Sequence, residues 1–535
     1  MDEFDVIVVG AGSAGCVLAD KLSADGRRRV LLLEAGGSDR RFWIKVPIGY
    51  GMTYFDPAVN WKFSAEPDPG IAGRAAYWPR GKVLGGSSSI NAMVYCRGLS
   101  GDYDDWRDAG NPGWGWDDVA PVYRSFERRI GKDGRVQGDG PLYVSDREAE
   151  YHPLKRHFYG AARELGLPIT ADLNGPAPEG VGSYAITTRH GLRCSAADAF
   201  LRPALSRRNL EVRTGVLVER VLFAGQRAVG VAYRQHGRTV QVRARAEIVL
   251  SAGAVGSPGL LQRSGIGPGG LLQSLGIDVV HANDAVGGGL HDHLGINYYF
   301  RANEPTLNSA LGTWAGRLAV GARFLLARTG PLSLSVNQMG GMVRTSPEQP
   351  RPNVQLYFNP LSYSTEQAGD RQIMRPDRFP GFIMGFNACR PTSTGRIDIA
   401  AADPAQPPRI VPNYLATESD IADVIAAARL IGRLQDTRAF RAGLSSPPAY
   451  DIANTDDAAL LADFRARSGT VFHPCGTARM APPAEGGVVD AQLRVYGVAG
   501  LRVVDASIFP NITSANTNAP TIMVAHKAAA LIAAG

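Results

Sequence analysis

Gly10, Gly12 and Gly15, in the run Gly10-Ala11-Gly12-Ser13-Ala14-Gly15, are spaced to bring a backbone against a pyrophosphate. The first glycine permits a tight turn, the second lets phosphate approach the chain, and the third lets helix and strand pack closely. Three glycines at this spacing are weak evidence in a chain with 63 of them, so the flanks decide. Residues 4–9 read as a strand buried on both faces, and residues 16–22 as the helix that follows. A second apolar strand, residues 30–33, ends in Glu34, nineteen residues past Gly15, where an acid can accept hydrogen bonds from an adenosine ribose. The chemistry is dinucleotide binding. The acid suits FAD or NAD and disfavours NADP, whose phosphate it would repel.

Proton transfer near neutral pH calls for histidine, and the chain has nine. His152, His157, His190, His236 and His281 lie in polar stretches and read as surface residues. His526 sits among alanines beside Lys527 in a C-terminal helical run and reads as a surface or capping residue. His473 differs, because Pro474 and Gly476 give it a rigid setting within Thr470-Val471-Phe472-His473-Pro474-Cys475-Gly476-Thr477-Ala478-Arg479-Met480. Taken alone, it fits a buried structural histidine or a catalytic one. Cys475 and Ser87-Ser88-Ser89 resemble nucleophiles but lack the partners of a triad, and no GxSxG elbow occurs. The serines suit a turn or hydroxyl donors to phosphate.

These residues need elements to hold them. Ile248-Val249-Leu250-Ser251-Ala252-Gly253 and Leu501-Arg502-Val503-Val504-Asp505-Ala506-Ser507 look like further strand-to-turn junctions of the nucleotide domain, which insertions therefore interrupt. Residues 210–222 read as one more strand. Between about residues 300 and 460 the motifs thin out, leaving strands at 353–358 and 396–399, a helix at 418–434 and a proline-rich connector at 404–412.

Composition excludes more than it names. A length of 535 residues allows about two to four lobes, and 44% hydrophobic with 20% charged residues is ordinary for a globular protein. The net charge of +7 is scattered; Arg27-Arg28-Arg29, Arg40-Arg41 and Arg128-Arg129 read as solvated turns and helix ends, with no nucleic-acid motif beside them. Five cysteines without a CxxC pair suggest neither a disulfide framework nor a metal site. The absence of a basic leader or a run of about 20 apolar residues gives the expectation of a soluble, cytoplasmic protein with no membrane span.

The segment Pro79-Arg80-Gly81-Lys82-Val83-Leu84-Gly85-Gly86-Ser87-Ser88-Ser89-Ile90-Asn91-Ala92-Met93 resembles the first signature of the glucose-methanol-choline oxidoreductases, and residues 253–267 resemble the second. The N-terminal glycine run, the His473-Pro474 segment and the tail Asn516-Thr517-Asn518-Ala519-Pro520-Thr521 also match, so the resemblance spans the chain and is nearest to bacterial alcohol and choline dehydrogenases. It implies an α/β fold: a Rossmann-like FAD-binding domain (1–155, 200–298 and 465–535) with an inserted substrate domain on an antiparallel sheet with helices (156–199 and 299–464).

It implies noncovalent FAD, because Ile90 stands where some relatives carry the histidine that attaches the flavin. Gly10, Gly12, Ser13 and Gly15 would hold the pyrophosphate, Glu34 the ribose and Val218 the adenine. The stretch from Gly85 and Ser87 to Asn91 and Met93 would pass under the flavin, and Asp505 and Asn518 would bond its ribityl and pyrimidine portions. His473 becomes the base and Asn516 the orienting amide, in oxidation of a primary alcohol to an aldehyde with hydride passing to flavin N5. The asparagines also fit a helix cap. The resemblance places His291 and His293, after Gly287-Gly288-Gly289-Leu290, in a structural turn. Electrons would leave to O2 or a quinone-like acceptor. Aryl-alcohol or polyol oxidation, a lyase or photoenzyme on the same fold, and a nucleotide sensor are the alternatives.

Overall fold

The computed structural model describes residues 2–368 and 371–534. Its first sheet has the strand order Leu210–Thr214, Val30–Glu34, Glu3–Val9, Arg238–Leu250, Arg227–Gln235, Leu217–Ala224, with Leu501–Val503 pairing the end of Arg238–Leu250. The apolar runs 6–9 and 30–33 pair in parallel, Val6 opposite Val30 and Val9 opposite Leu33, as strands buried on both faces do. Leu501–Val503 lies 250 residues beyond its neighbour in sequence yet aligns Leu501 with Ile248. The site residues near both ends of the chain are thereby brought together at the carboxyl ends of neighbouring strands. Helices Ser13–Ser23 and Asn518–Ala534 pack on each other against this sheet.

The second sheet is antiparallel and runs Met339–Val343, Val354–Asn359, Gly381–Ala388, Leu294–Arg301, Gly469–Thr470. Leu294, Ile296, Tyr298 and Phe300 alternate into a separate apolar core, as a period of two requires. Phe300 and Phe382 stack there at 5.1 Å. Helix Glu418–Asp436 packs on this sheet and starts at Thr417, whose hydroxyl accepts from Asp420 N.

Three expectations change. Residues 210–222 form two strands, broken where Gly215 takes φ +68° and Val216 N donates to Glu34 O at 3.0 Å. A boundary at residue 298 would cut strand Leu294–Arg301, which pairs through its length with Gly381–Ala388 and belongs whole to the second sheet. Gly469–Thr470 joins that sheet too, against Leu294–Gly295. Among the described residues no helix is long and apolar enough to cross a membrane.

Candidate active site

Between the two sheets lies a cavity of about 1120 Å³. Gly10, Gly12, Ser13, Glu34, Ser87, Asn91, Met93, Val218, His473, Asp505, Asn516 and Asn518 all line it. Gly15 and Gly85 stand behind the wall. A Cβ on Gly15 would sit 1.8 Å from Gly10 O, so this glycine serves the close helix-to-strand contact. Gly85 takes φ +86° and opens the turn Gly86–Ser89.

One arm of the cavity fits a dinucleotide. Gly10 has φ +99° and no room for a Cβ, which would meet Ser251 O at 2.4 Å. Gly12 is the reverse: an added Cβ would find only Ser251 O, at 4.0 Å, and would fill the cavity instead. The fold itself leaves that space open, so the reason for a glycine there lies in what the cavity holds. Helices Ser13–Ser23, Gly253–Arg263 and Asn518–Ala534 all begin at this wall, none with an acid in its first turn, and their N-termini favour anionic phosphate. Ser13 Oγ donates to Asn518 Oδ1 at 2.7 Å and ties two of them together. Glu34 accepts from Ala11 N at 2.9 Å and Gly36 N at 2.7 Å, while burial pushes its carboxyl up to about 7. Asp505 accepts from Gly253 N and Ser257 Oγ at Oδ2 and from Ser507 N at Oδ1, which leaves about one carboxylate acceptor site, on Oδ1, for a ligand. Of the three serines, only Ser87 faces the cavity. Ser88 and Ser89 donate to Gly85 O and Leu84 O and stabilise the turn.

The other arm holds a directional chain of hydrogen bonds. His293 Nε2 lies 2.8 Å from Cys389 O, an acceptor, so Nε2 carries the proton. The Nδ1 of neutral His293 is then an acceptor, and at 2.8 Å it accepts a hydrogen bond from His473 Nδ1–H. His473 Nε2 is left as a bare lone pair, and Asn516 Nδ2 donates to it at 3.0 Å. Gln355 Nε2 donates to Asn516 Oδ1 at 3.3 Å and holds that amide in the same sense. The tautomer of His473 therefore follows from one backbone carbonyl two residues away in the chain of bonds. Burial, then His293 and Arg80, hold His473 well below the ordinary histidine range, so the ring is neutral at pH 7 and can take a proton at Nε2.

Backbone strain marks both sides of this arm. Phe472 at φ +69° and Met93 at φ +64° are side-chain-bearing residues in the left-handed region, a cost usually tolerated where a neighbour must be aimed. Arg80 Nη2 donates to Phe472 O at 2.6 Å and Asp292 Oδ1 accepts from His473 N at 2.8 Å, clamping the His473 backbone on both sides. Asn91 Oδ1 accepts from Met93 N and Arg193 Nη1. Cys475 is fully buried and its thiol is pushed well up, which removes it as a nucleophile.

The histidines sort less simply than their sequence settings suggest. His190 and His236 are exposed. His157 is half-buried, with Nε2 2.8 Å from Glu304 Oε1, and His152 and His281 are partly covered as well. His526 stacks on Phe126 at 4.8 Å, so it is a packing residue and not a surface one. His291 is structural, its backbone paired with Cys475. His293 is the correction that matters: it touches His473. Gln355 and Arg80 were also passed over. The Asp292-His293 pair after a glycine run is the available signal for His293, Arg80 stands in the segment 79–93, and no local signal marks Gln355.

Family models described as GMC oxidoreductase match residues 4–295 and 391–525. An alcohol dehydrogenase [acceptor] of Pseudomonas putida is 40% identical, over 99% of this chain and 95% of that protein. An oxygen-dependent choline dehydrogenase of Photobacterium profundum is 40% identical, over 98% and 92%. Pyridoxine 4-oxidase from Mesorbium loti superposes with a TM-score of 0.87 at 31% identity, covering 98% of each chain. With family models covering most of the chain and full-length relatives at this identity, the protein belongs to the GMC oxidoreductases, FAD-dependent enzymes that act on CH–OH donors.

Proposed function

We propose that the protein oxidises a neutral primary alcohol to an aldehyde, with His473 as base and Asn516 as the amide that orients the substrate oxygen. The observation that carries this is the hydrogen-bond chain, which leaves His473 Nε2 unprotonated beside a side-chain donor at the cavity wall. A hydroxyl entering there donates its proton to Nε2 while Asn516 Nδ2 bonds the oxygen and stabilises developing alkoxide charge. An amide cannot act as a base, so the two roles do not exchange. Bound FAD supplies the acceptor for the hydride from the carbinol carbon.

Gly10, Gly12, Ser13 and Gly15 would hold the pyrophosphate, Glu34 the ribose, Val218 the adenine, Gly85, Ser87, Asn91 and Met93 the flavin side, and Asp505 and Asn518 its ribityl and pyrimidine groups. Ile90 has no nucleophilic atom, so attachment is noncovalent. Acid precipitation is expected to leave the flavin in the supernatant, and a yellow pellet would overturn that assignment.

The cavity around His473 is walled by Tyr54, Tyr299, Tyr363, Met374 and Phe472, with Arg80 bonded to Phe472 O. Among the described residues the only carboxylates lining the cavity are Glu34 and Asp505, both on elements of the first sheet. A cationic alcohol such as choline would have no counter-charge and would meet Arg80, so a neutral aliphatic or aromatic alcohol is the better substrate. Anaerobic mixing with an alcohol panel tests this: neutral primary alcohols should bleach the flavin and choline should not. Air and then a quinone or dye, admitted afterwards, identify the acceptor. A flavin that no alcohol bleaches would end the proposal.

A further inference from the structure

Helix Trp314–Ala327 buries one residue, Phe324, although it is mostly apolar. Trp314, Leu318, Leu325 and Leu326 are 76%, 62%, 61% and 88% exposed. At about 100° per residue, Trp314, Leu318, Ala322 and Leu325 form one stripe with Ala315, Ala319 and Leu326 beside it, and Phe324 points the opposite way. The apolar stripe therefore faces outward. Arg323 edges it on one side and Arg317 on the other, and Arg328 caps the C-terminal end. No Asp or Glu occurs between Glu304 and Glu348. Arg317 and Arg323 bond to Leu311 O and Thr329 Oγ1, Arg328 lies 5.0 Å over the Phe324 ring, and among the described residues none of the three forms an ion pair.

A second exposed segment adjoins it. Arg40 and Arg41 are exposed, as are Phe42 at 54%, Trp43 at 41% and Met52 at 48%. The turn Pro47–Gly49 between them touches Pro331–Ser333, which in turn touches helix Trp314–Ala327. Ile48, Tyr50 and Leu311 share one small apolar cluster with Leu307, Val336 and Leu361. Tyr50 and Val336 also line the active-site cavity, so this face lies on the cavity's side of the molecule.

We propose that this face, made of helix Trp314–Ala327 and residues Arg40 to Trp43 and Met52, seats the protein on an anionic lipid surface. Outward Trp and Leu edged by arginine, on a helix that carries no acid, is the pattern of a helix that lies in the interface plane and does not span it. Charge decides against a second copy of the chain as occupant. A two-fold contact centred on the helix would set its arginines against the same arginines, and the helix itself carries no carboxylate to pair them.

The test uses the FAD-loaded protein and sedimentation with vesicles of phosphatidylcholine, with and without phosphatidylglycerol. Binding is expected to the anionic vesicles and to weaken with salt. Leu318→Asp combined with Leu325→Asp should lower partitioning about tenfold or more while flavin content and turnover with a soluble dye stay unchanged. Absent binding, equal binding to both vesicle types, or a double variant that binds like the parent overturns the proposal. So does a concentration-dependent dimer that the double variant abolishes, since a second copy would then cover the face.

Discussion

His473→Ala is expected to lower kcat/KM toward a primary alcohol by a factor of about 10² to 10⁴, with FAD still bound. The side chain removed carries the Nε2 lone pair that the bond chain leaves unprotonated, held at the cavity wall by Asn516 Nδ2, while the residues proposed to hold the cofactor lie on other elements. The purified variant should keep its flavin absorbance and still bleach with dithionite, a reductant that needs no base. Alcohol should bleach it slowly or not at all. Unchanged turnover in a flavin-loaded variant would remove His473 from the role of base. Loss of flavin together with activity would show that the residue supports cofactor binding and would likewise count against the assignment.

What could be read without coordinates follows the range of the interactions. Strand Glu3–Val9, its glycine turn and helix Ser13–Ser23 are one local unit, and the alternation of apolar and glycine residues marks it with boundaries correct to a few residues. The strand at 354–359 and the helix at 418–436 were legible for the same reason. The break at Gly215 was not, because Leu210–Thr214 and Leu217–Ala224 are equally strand-like and only the bond from Val216 N to Glu34 O turns the chain. At the site, His473 and Asn516 stand in recognisable segments. His293 is 180 residues from His473 and Gln355 is 161 from Asn516, so neither partnership leaves a local trace. Helix Trp314–Ala327 shows a further limit: a helical stripe of apolar residues has the same sequence pattern whether it faces the core or the solvent.

His293→Phe should lower kcat about 10-fold to 10²-fold with KM nearly unchanged, because it keeps a ring in place but removes the acceptor for His473 Nδ1–H. A buried donor left without a partner costs about 1–3 kcal/mol, and the imidazole can escape that cost by moving its proton to Nε2, the atom the reaction needs bare. His293→Gln, whose side-chain oxygen can accept the same bond, should restore part of the rate; a merely structural role would give no such difference between the two variants. A Phe variant with parental kcat would show that the tautomer of His473 is set elsewhere. The same pair predicts the pH response. His293 is lowered to about 4 and His473 lies well below 6.5, burial being the first cause for both. The unfolded chain takes protons at about 6.5 where the fold resists them, so the stability these groups contribute is complete above pH 6.5 and is lost as the pH falls below it. For activity the same shift keeps the base unprotonated through neutral pH, so the acid limb of kcat/KM should fall below pH 6.5. A limb centred at the free-histidine value would mean that His473 is solvated during turnover, and the dry, oriented pair would not describe the working enzyme.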